Sequence, residues 1–160
     1  MSDKPTFEEA LERCGRPVWA YLAGAAGDEE TARDLTQETF LRAFRGWERF
    51  RGESDPFTWF YAIARNVLRR HWRKERLRRG AAFLMGRRRI GAPAAHEEED
   101  RALRRELERV PQPYREALLL HYYADRSVRE MARDLGVAEG TIKSRLARGR
   151  EILKRRVERC

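Results

Sequence analysis

The side chains most apt for chemistry in this chain are spaced so that no reaction follows from them. His71, His96 and His121 stand far apart, and Cys14 and Cys160 are the only cysteines, without the paired spacing of a zinc site or the number that a disulfide framework needs. Glu97, Glu98, Glu99 and Asp100 form a run of carboxylates, but consecutive acids read as the charged first turn of a helix rather than as metal ligands, and His96 beside them adds one donor only. No glycine loop that would cradle a phosphate is present, and no nucleophile has a base in register with it. The expectation is therefore no catalytic residue, no metal and no cofactor: the chain is expected not to be an enzyme. What remains is cationic chemistry. The sequence has 35 Lys and Arg against 26 Asp and Glu, a formal net charge of +9, which calls for a polyanionic partner.

The cations collect in two places. Residues 65–91 hold 11 Lys and Arg against 1 Asp or Glu, whereas residues 1–64 hold 8 against 12 and residues 92–160 hold 16 against 13. The second place is the last helical stretch. At 100° per residue, Gly140, Ser144, Ala147 and Arg148 point away from the apolar stripe of Ile142, Leu146 and Leu153, with Lys143 and Arg145 on the flanks. Arginine pairs with guanine edges or phosphates, the Ser144 hydroxyl bonds either, and Gly140 and Ala147 let the backbone approach a major groove closely. Arg150, Lys154, Arg155 and Arg156 lie further on, where they would meet only phosphates.

The elements that must carry these residues are all helical; no strand-like alternation of useful length occurs. An amphipathic stretch from Thr6 to Ala23 is expected to kink or break at Gly15 and Pro17 and to end at Gly24 and Gly27. Asp28 caps a second helix whose Ala32, Leu35, Thr39, Phe40, Ala43, Phe44 and Trp47 make one broad apolar face. After the loop Arg51-Gly52-Glu53-Ser54, Asp55 and Pro56 supply a cap and a first-turn proline for a third helix carrying Phe57, Phe60, Tyr61, Ala64, Val67, Leu68 and Trp72. Between about Arg76 and Asp100 the pattern fails at Gly80, Gly86, Gly91 and Pro93, the mark of a linker. Beyond it come a short helix ended by Pro111 and Pro113, another to Tyr122, a capping box at Ser127 and Glu130, a glycine turn at Gly136 and the basic helix: a helix-turn-helix. The fold class is thus all-α, two small helical domains joined by a flexible basic linker, with domain boundaries at 1–75, 76–100 and 101–160. No apolar run is long enough to span a membrane and no signal core opens the chain, so membrane insertion is not expected and the cytoplasm is the expected location. Cys14, in register with Phe7, Ala10 and Leu11, reads as a buried thiol.

Four segments in order resemble the extracytoplasmic-function (ECF) sigma factors of bacterial RNA polymerase. They are Asp34-Leu35-Thr36-Gln37-Glu38-Thr39-Phe40-Leu41-Arg42-Ala43-Phe44, Phe50-Arg51-Gly52-Glu53-Ser54, Thr58-Trp59-Phe60-Tyr61-Ala62-Ile63-Ala64-Arg65-Asn66, and Gly140-Thr141-Ile142-Lys143-Ser144-Arg145-Leu146-Ala147-Arg148. The resemblance spans nearly the whole chain. It implies that residues to about Lys74 form sigma region two and those from about Leu103 form region four. By that analogy the partners are core RNA polymerase and promoter DNA. Asp34, Gln37, Glu38 and Arg42 would be polar contacts to the clamp helices of the largest polymerase subunit. Arg51, Gly52, Glu53 and Ser54 would capture an unstacked base of the minus-ten element, with Arg65, Asn66, Arg69, Arg70 and Arg73 tracking the melted strand. Gly140, Thr141, Lys143, Ser144, Arg145 and Arg148 would read the upstream element, and the basic linker would pass toward the RNA exit path. With no further domain expected after Val157, regulation would come from a separately encoded anti-sigma factor.

The sequence departs from that pattern where Ala138 replaces the commoner serine cap of the reading helix, and where Asp55-Pro56 follows the capture loop. Two other readings use the same helix-turn-helix. A repressor or activator independent of polymerase accounts for residues 100–157 but leaves the segments from Asp34 to Asn66 without a task. A DNA-processing enzyme needs the nucleophile or metal cluster that the histidines and cysteines do not supply.

Overall fold

The computed structural model describes residues 4–84 and 95–159, with side chains from 4 to 81 and from 102 to 159. Every regular element among the described residues is helical: α1 (Phe7–Ala26), α2 (Glu29–Gly46), a 3₁₀ turn (Trp47–Arg49), α3 (Pro56–Leu84), α4 (Ala95–Arg109), α5 (Gln112–Tyr122), α6 (Val128–Leu135) and α7 (Glu139–Val157). Local sequence sets most of their ends. Thr6 and Glu9 form a capping box at α1, the Asp28 carboxylate accepts from the Thr31 backbone at 2.8 Å to start α2, and Ser127 with Glu130 boxes the start of α6. Asp55 accepts from the Phe57 amide at 2.8 Å, and Pro56 opens α3 as expected of a first-turn proline.

Three expectations need correction. Helix α1 runs unbroken through Pro17, because Ala10, Cys14, Val18, Tyr21, Leu22 and Ala25 are buried on both sides of the proline and tertiary packing outweighs one lost backbone bond. Gly24 lies inside that helix, and only Gly27, left-handed at φ 100°, ends it. Helix α3 continues past Arg76 and Gly80 to Leu84, so part of the expected linker is helical. The breaks expected at Gly86, Gly91 and Pro93 fall outside the described residues.

Helices α1, α2 and α3 pack mutually around an N-terminal core, and α5, α6 and α7 around a C-terminal one. The first core is aromatic: Phe7, Phe40, Trp47, Phe50, Trp59 and Phe60 lie in a chain of ring contacts, the closest being Trp47 on Phe50 at 4.8 Å. In the second, Met131, Ile142 and Leu146 join Leu118, Leu119 and Leu120, and Gly149 lets α7 press on Leu118 and the Tyr114 carbonyl. Cys14 is buried, and burial, then the nearby Asp55 carboxylate, pushes its thiol up to about 11.

Candidate nucleic-acid interface

The turn between α6 and α7 is built by Gly136, left-handed at φ 65°, whose amide donates back to the Ala132 and Arg133 carbonyls. Behind it Met131 and Ile142 are fully buried, fixing the two helices of the motif on each other. The opposite face of α7 is open: Gly140, Lys143, Ser144, Ala147 and Arg148 are exposed, while Thr141 and Arg145 are half-buried at the margins. The Ser144 hydroxyl donates to the Thr141 carbonyl at 2.9 Å and Arg148 bonds Glu151 at 2.7 Å. Ala138 caps α7 without a side-chain hydrogen bond.

On α2, Asp34, Gln37 and Arg42 are exposed and Glu38 is half-buried, while Ala32, Leu35, Thr39 and Ala43 are buried. The helix also exposes Leu41 at 49 % and Phe44 at 60 %, so Phe44, expected within the apolar face, stays largely open to solvent and meets the Phe7 ring edge-on at 5.2 Å. Glu38 accepts from Arg42 at 2.8 Å and also from Arg70, which ties α2 to the basic part of α3.

The loop Arg51–Ser54 is exposed, turns at Gly52 with φ 76°, and is backed by the stacked Trp47 and Phe50. From α3, Asn66, Arg69, Arg70 and Arg73 are exposed, but Arg65 turns inward and bonds Glu116 of α5 at 3.4 Å. Of the aromatics that suggest stacking platforms, Phe60, Tyr61 and Trp72 are buried and Trp59 packs on Trp47 and Phe50, so they are core.

Two acids that sequence reading passed over sit where the halves meet. Glu116 is 8 % exposed and accepts from the Tyr61 hydroxyl at 2.6 Å; Asp134, also 8 % exposed, accepts from the Thr58 hydroxyl at 2.9 Å and from Arg126 at 2.7 and 3.0 Å. Burial, with Tyr21 and Glu116 nearby, holds the Tyr61 hydroxyl well above its ordinary range, so it is a neutral donor. A signal existed: Glu116 shares a helical face with Leu119 and Leu120, and Asp134 with Met131.

Among the described residues no group of three or more His, Cys, Asp or Glu is gathered to hold a metal, and no helix is long and apolar enough to cross a membrane.

Two families match the chain in order: sigma-70 region 2 over residues 10–78 and sigma-70 region 4 over residues 100–153. The chain is 36% identical over 154 residues to the ECF RNA polymerase sigma factor SigC of Mycobacterium tuberculosis, covering 92% of this chain and 80% of that one. It is 28% identical over 153 residues to the ECF RNA polymerase sigma factor SigM of Bacillus subtilis, covering 93% of each. In fold it is similar to the sigma factor RpoE solved with the anti-sigma factor NepR from Bartonella quintana, with a TM-score of 0.64, 24% identity, and coverage of 95% of this chain and 96% of that one.

Proposed function

The chain belongs to the ECF sigma factors of RNA polymerase, and on that footing we propose that three separated surfaces divide the work of this sigma factor. Helix α2 docks on core polymerase, with Asp34, Gln37, Glu38 and Arg42 framing the exposed Leu41 and Phe44. The loop Arg51-Gly52-Glu53-Ser54 captures a flipped base of the minus-ten element, and Arg65, Asn66, Arg69, Arg70 and Arg73 follow the melted strand, offsetting the several kcal/mol that unpairing costs. Helix α7 enters the major groove of the minus-thirty-five element with Gly140, Thr141, Lys143, Ser144, Arg145 and Arg148.

The observation that supports this division best is the open face of α7, where small and cationic residues alternate opposite a fully buried Ile142. Region two is assigned to residues 1–75 and region four to residues 101–160, and the protein works in the cytoplasm with the polymerase. Sigma factors initiate transcription without chemistry of their own. Regulation is assigned to a separately encoded anti-sigma factor, as its structural relative RpoE is held by NepR.

Transcription in vitro from sheared host DNA, with sigma-free core polymerase and mapped starts, tests the assignment. The expected result is discrete starts that share two spaced upstream motifs. Specific binding to closed duplex with no starts above core enzyme alone would give the chain to the polymerase-independent repressors.

A further inference from the structure

The arginines beyond Arg73 on α3 have no part in the three surfaces above. Arg76 and Arg79 line a cleft of about 480 Å³ together with Arg105 and Arg109 of α4, Arg115 of α5 and Arg156 of α7, a size within the range of small-molecule sites. These six guanidiniums have one carboxylate in the walls, Glu108, and a second beside them, Glu106, which bonds Arg109 at 2.7 Å and Arg156 at 3.5 Å. Burial, with the charge of Arg76 adding to it, holds the Arg115 guanidinium below its ordinary range. Several of these groups are fixed before any ligand arrives. Both Glu108 carboxylate oxygens accept from Arg79, at 2.9 and 3.2 Å, the Glu108 carbonyl accepts from Arg115 at 2.6 Å, and the Arg115 guanidinium lies 3.8 Å over the Trp72 ring. Trp72 is 8 % exposed and lines the same cleft, and its Nε1 is buried without a hydrogen-bond partner among the described residues. An indole nitrogen and guanidiniums only donate, so the walls are rich in donors and short of acceptors.

We infer that this cleft is a binding site for a polyphosphate chain. Forked guanidinium donors match the oxygens of a phosphate, and a site walled by four helices suits a ligand that presents such oxygens in series. The cationic track also continues along α7: a second cleft of about 420 Å³ shares Arg109 and Arg156 with the first and adds Arg155 and Arg159. A lone phosphate engages a few of these cations, whereas a chain engages them one after another. No aromatic face is left for a nucleobase, because the one ring among the described residues of the first cleft is Trp72, buried and covered by Arg115. The site therefore reads phosphates, whether an inorganic polyphosphate or the triphosphate of a nucleotide supplies them.

Isothermal titration calorimetry of the full chain with sodium tripolyphosphate, at physiological ionic strength, should give binding at least about ten-fold tighter than with orthophosphate. Arg76→Ala and Arg105→Ala remove exposed side chains from two of the walls, and each should weaken tripolyphosphate about ten-fold. Arg78→Ala removes the same charge from α3, but Arg78 lies outside the cleft and bonds Glu75 at 2.9 Å, so binding should change by less than about two-fold. The Trp72 indole N–H signal in a proton–nitrogen correlation spectrum, assigned through Trp72→Phe, should move during the titration. Adenosine triphosphate distinguishes the sources: binding comparable to tripolyphosphate leaves both as suppliers, and markedly weaker binding leaves the inorganic chain. A nucleotide that binds about ten-fold more tightly than tripolyphosphate would overturn the inference, since a base would then be read. So would absent binding, equal losses in all three arginine variants, which would reduce the site to diffuse charge, or an unmoved Trp72 signal, which would put the anion elsewhere. A mixed-sequence single-stranded oligonucleotide that displaces tripolyphosphate and loses affinity in Arg76→Ala and Arg105→Ala would make the cleft a nucleic-acid contact and overturn it as well. The sigma-factor reading is tested separately by transcription starts, so it stands whether or not tripolyphosphate binds.

Discussion

Asp134 is the residue whose loss should be felt most. Its side chain is completely buried, its Oδ2 accepts from Arg126 at 2.7 and 3.0 Å, and its Oδ1 accepts from Thr58 at 2.9 Å. Arg126 is itself only 12% exposed and keeps one other carboxylate, Glu130 at 3.0 Å on the rim. In Asp134→Ala the guanidinium stays buried against Phe57 with its inner partner gone. Breaking a buried pair from one side costs about 3–5 kcal/mol, and the surviving Glu130 contact puts the expectation at about 3 kcal/mol. For a chain of this length each kcal/mol moves the melting midpoint by about 2–4 °C, so a fall of about 6–12 °C is expected by circular dichroism. The double variant Arg126→Met with Asp134→Leu removes both charges and should recover most of that loss. A single-variant loss under about 1 kcal/mol, or a double variant no better than Asp134→Ala, would refute the view that the cost lies in stranding a buried charge.

Gly149→Ala sets a helix-propensity gain of about 1 kcal/mol against a Cβ that would lie 3.1 Å from Leu118 and 3.2 Å from the Tyr114 carbonyl; with backbone unable to yield, urea melts should show a net loss of about 1 kcal/mol. Ala138→Ser, at an extended cap position with no side-chain bond, should add about 1 kcal/mol in the same assay without altering starts in transcription. Arg148→Ala should weaken promoter binding by about 1–3 kcal/mol and relax selectivity at one upstream position in a binding-site selection; unchanged selectivity assigns Arg148 to phosphate. Cys14 should shape the alkaline limb of stability. Its thiol holds its proton to about pH 11 in the fold while the unfolded chain releases it near 9, so stability falls as pH rises through that window, by at most about 1 kcal/mol per pH unit. Cys14→Ala should flatten that limb in urea melts between pH 9 and 11.

Much of the protein is legible residue by residue because the physics involved is local. Caps at Thr6, Asp28 and Ser127, the glycine stop at Gly136 and the apolar period of α7 each depend on neighbours within about one turn, so the helix-turn-helix and the open face of Gly140, Ser144 and Arg148 follow from the letters alone. The family resemblance rests on the same stretches. Exposure on α2 was only half legible, since Phe44 falls on the apolar side of a helical wheel and yet finds no groove to fill.

Tertiary structure alone decided the rest. Pro17 and Gly80 are breakers by local rule, but packing around Pro17 carries α1 through it, and α3 runs past Gly80 to Leu84. Phe60, Tyr61 and Trp72 have the look of stacking platforms, and only packing from other helices makes them core: rings of α1 and α2 meet Phe60, Tyr21 of α1 and Glu116 of α5 meet Tyr61, and Arg115 of α5 lies over Trp72. Tyr61 and Thr58, which donate to Glu116 and Asp134, lie 55 and 76 residues away from them along the chain. Periodicity places such a carboxylate on an inward face; which donor waits there depends on how whole helices settle against each other, through contacts that no window of local sequence contains.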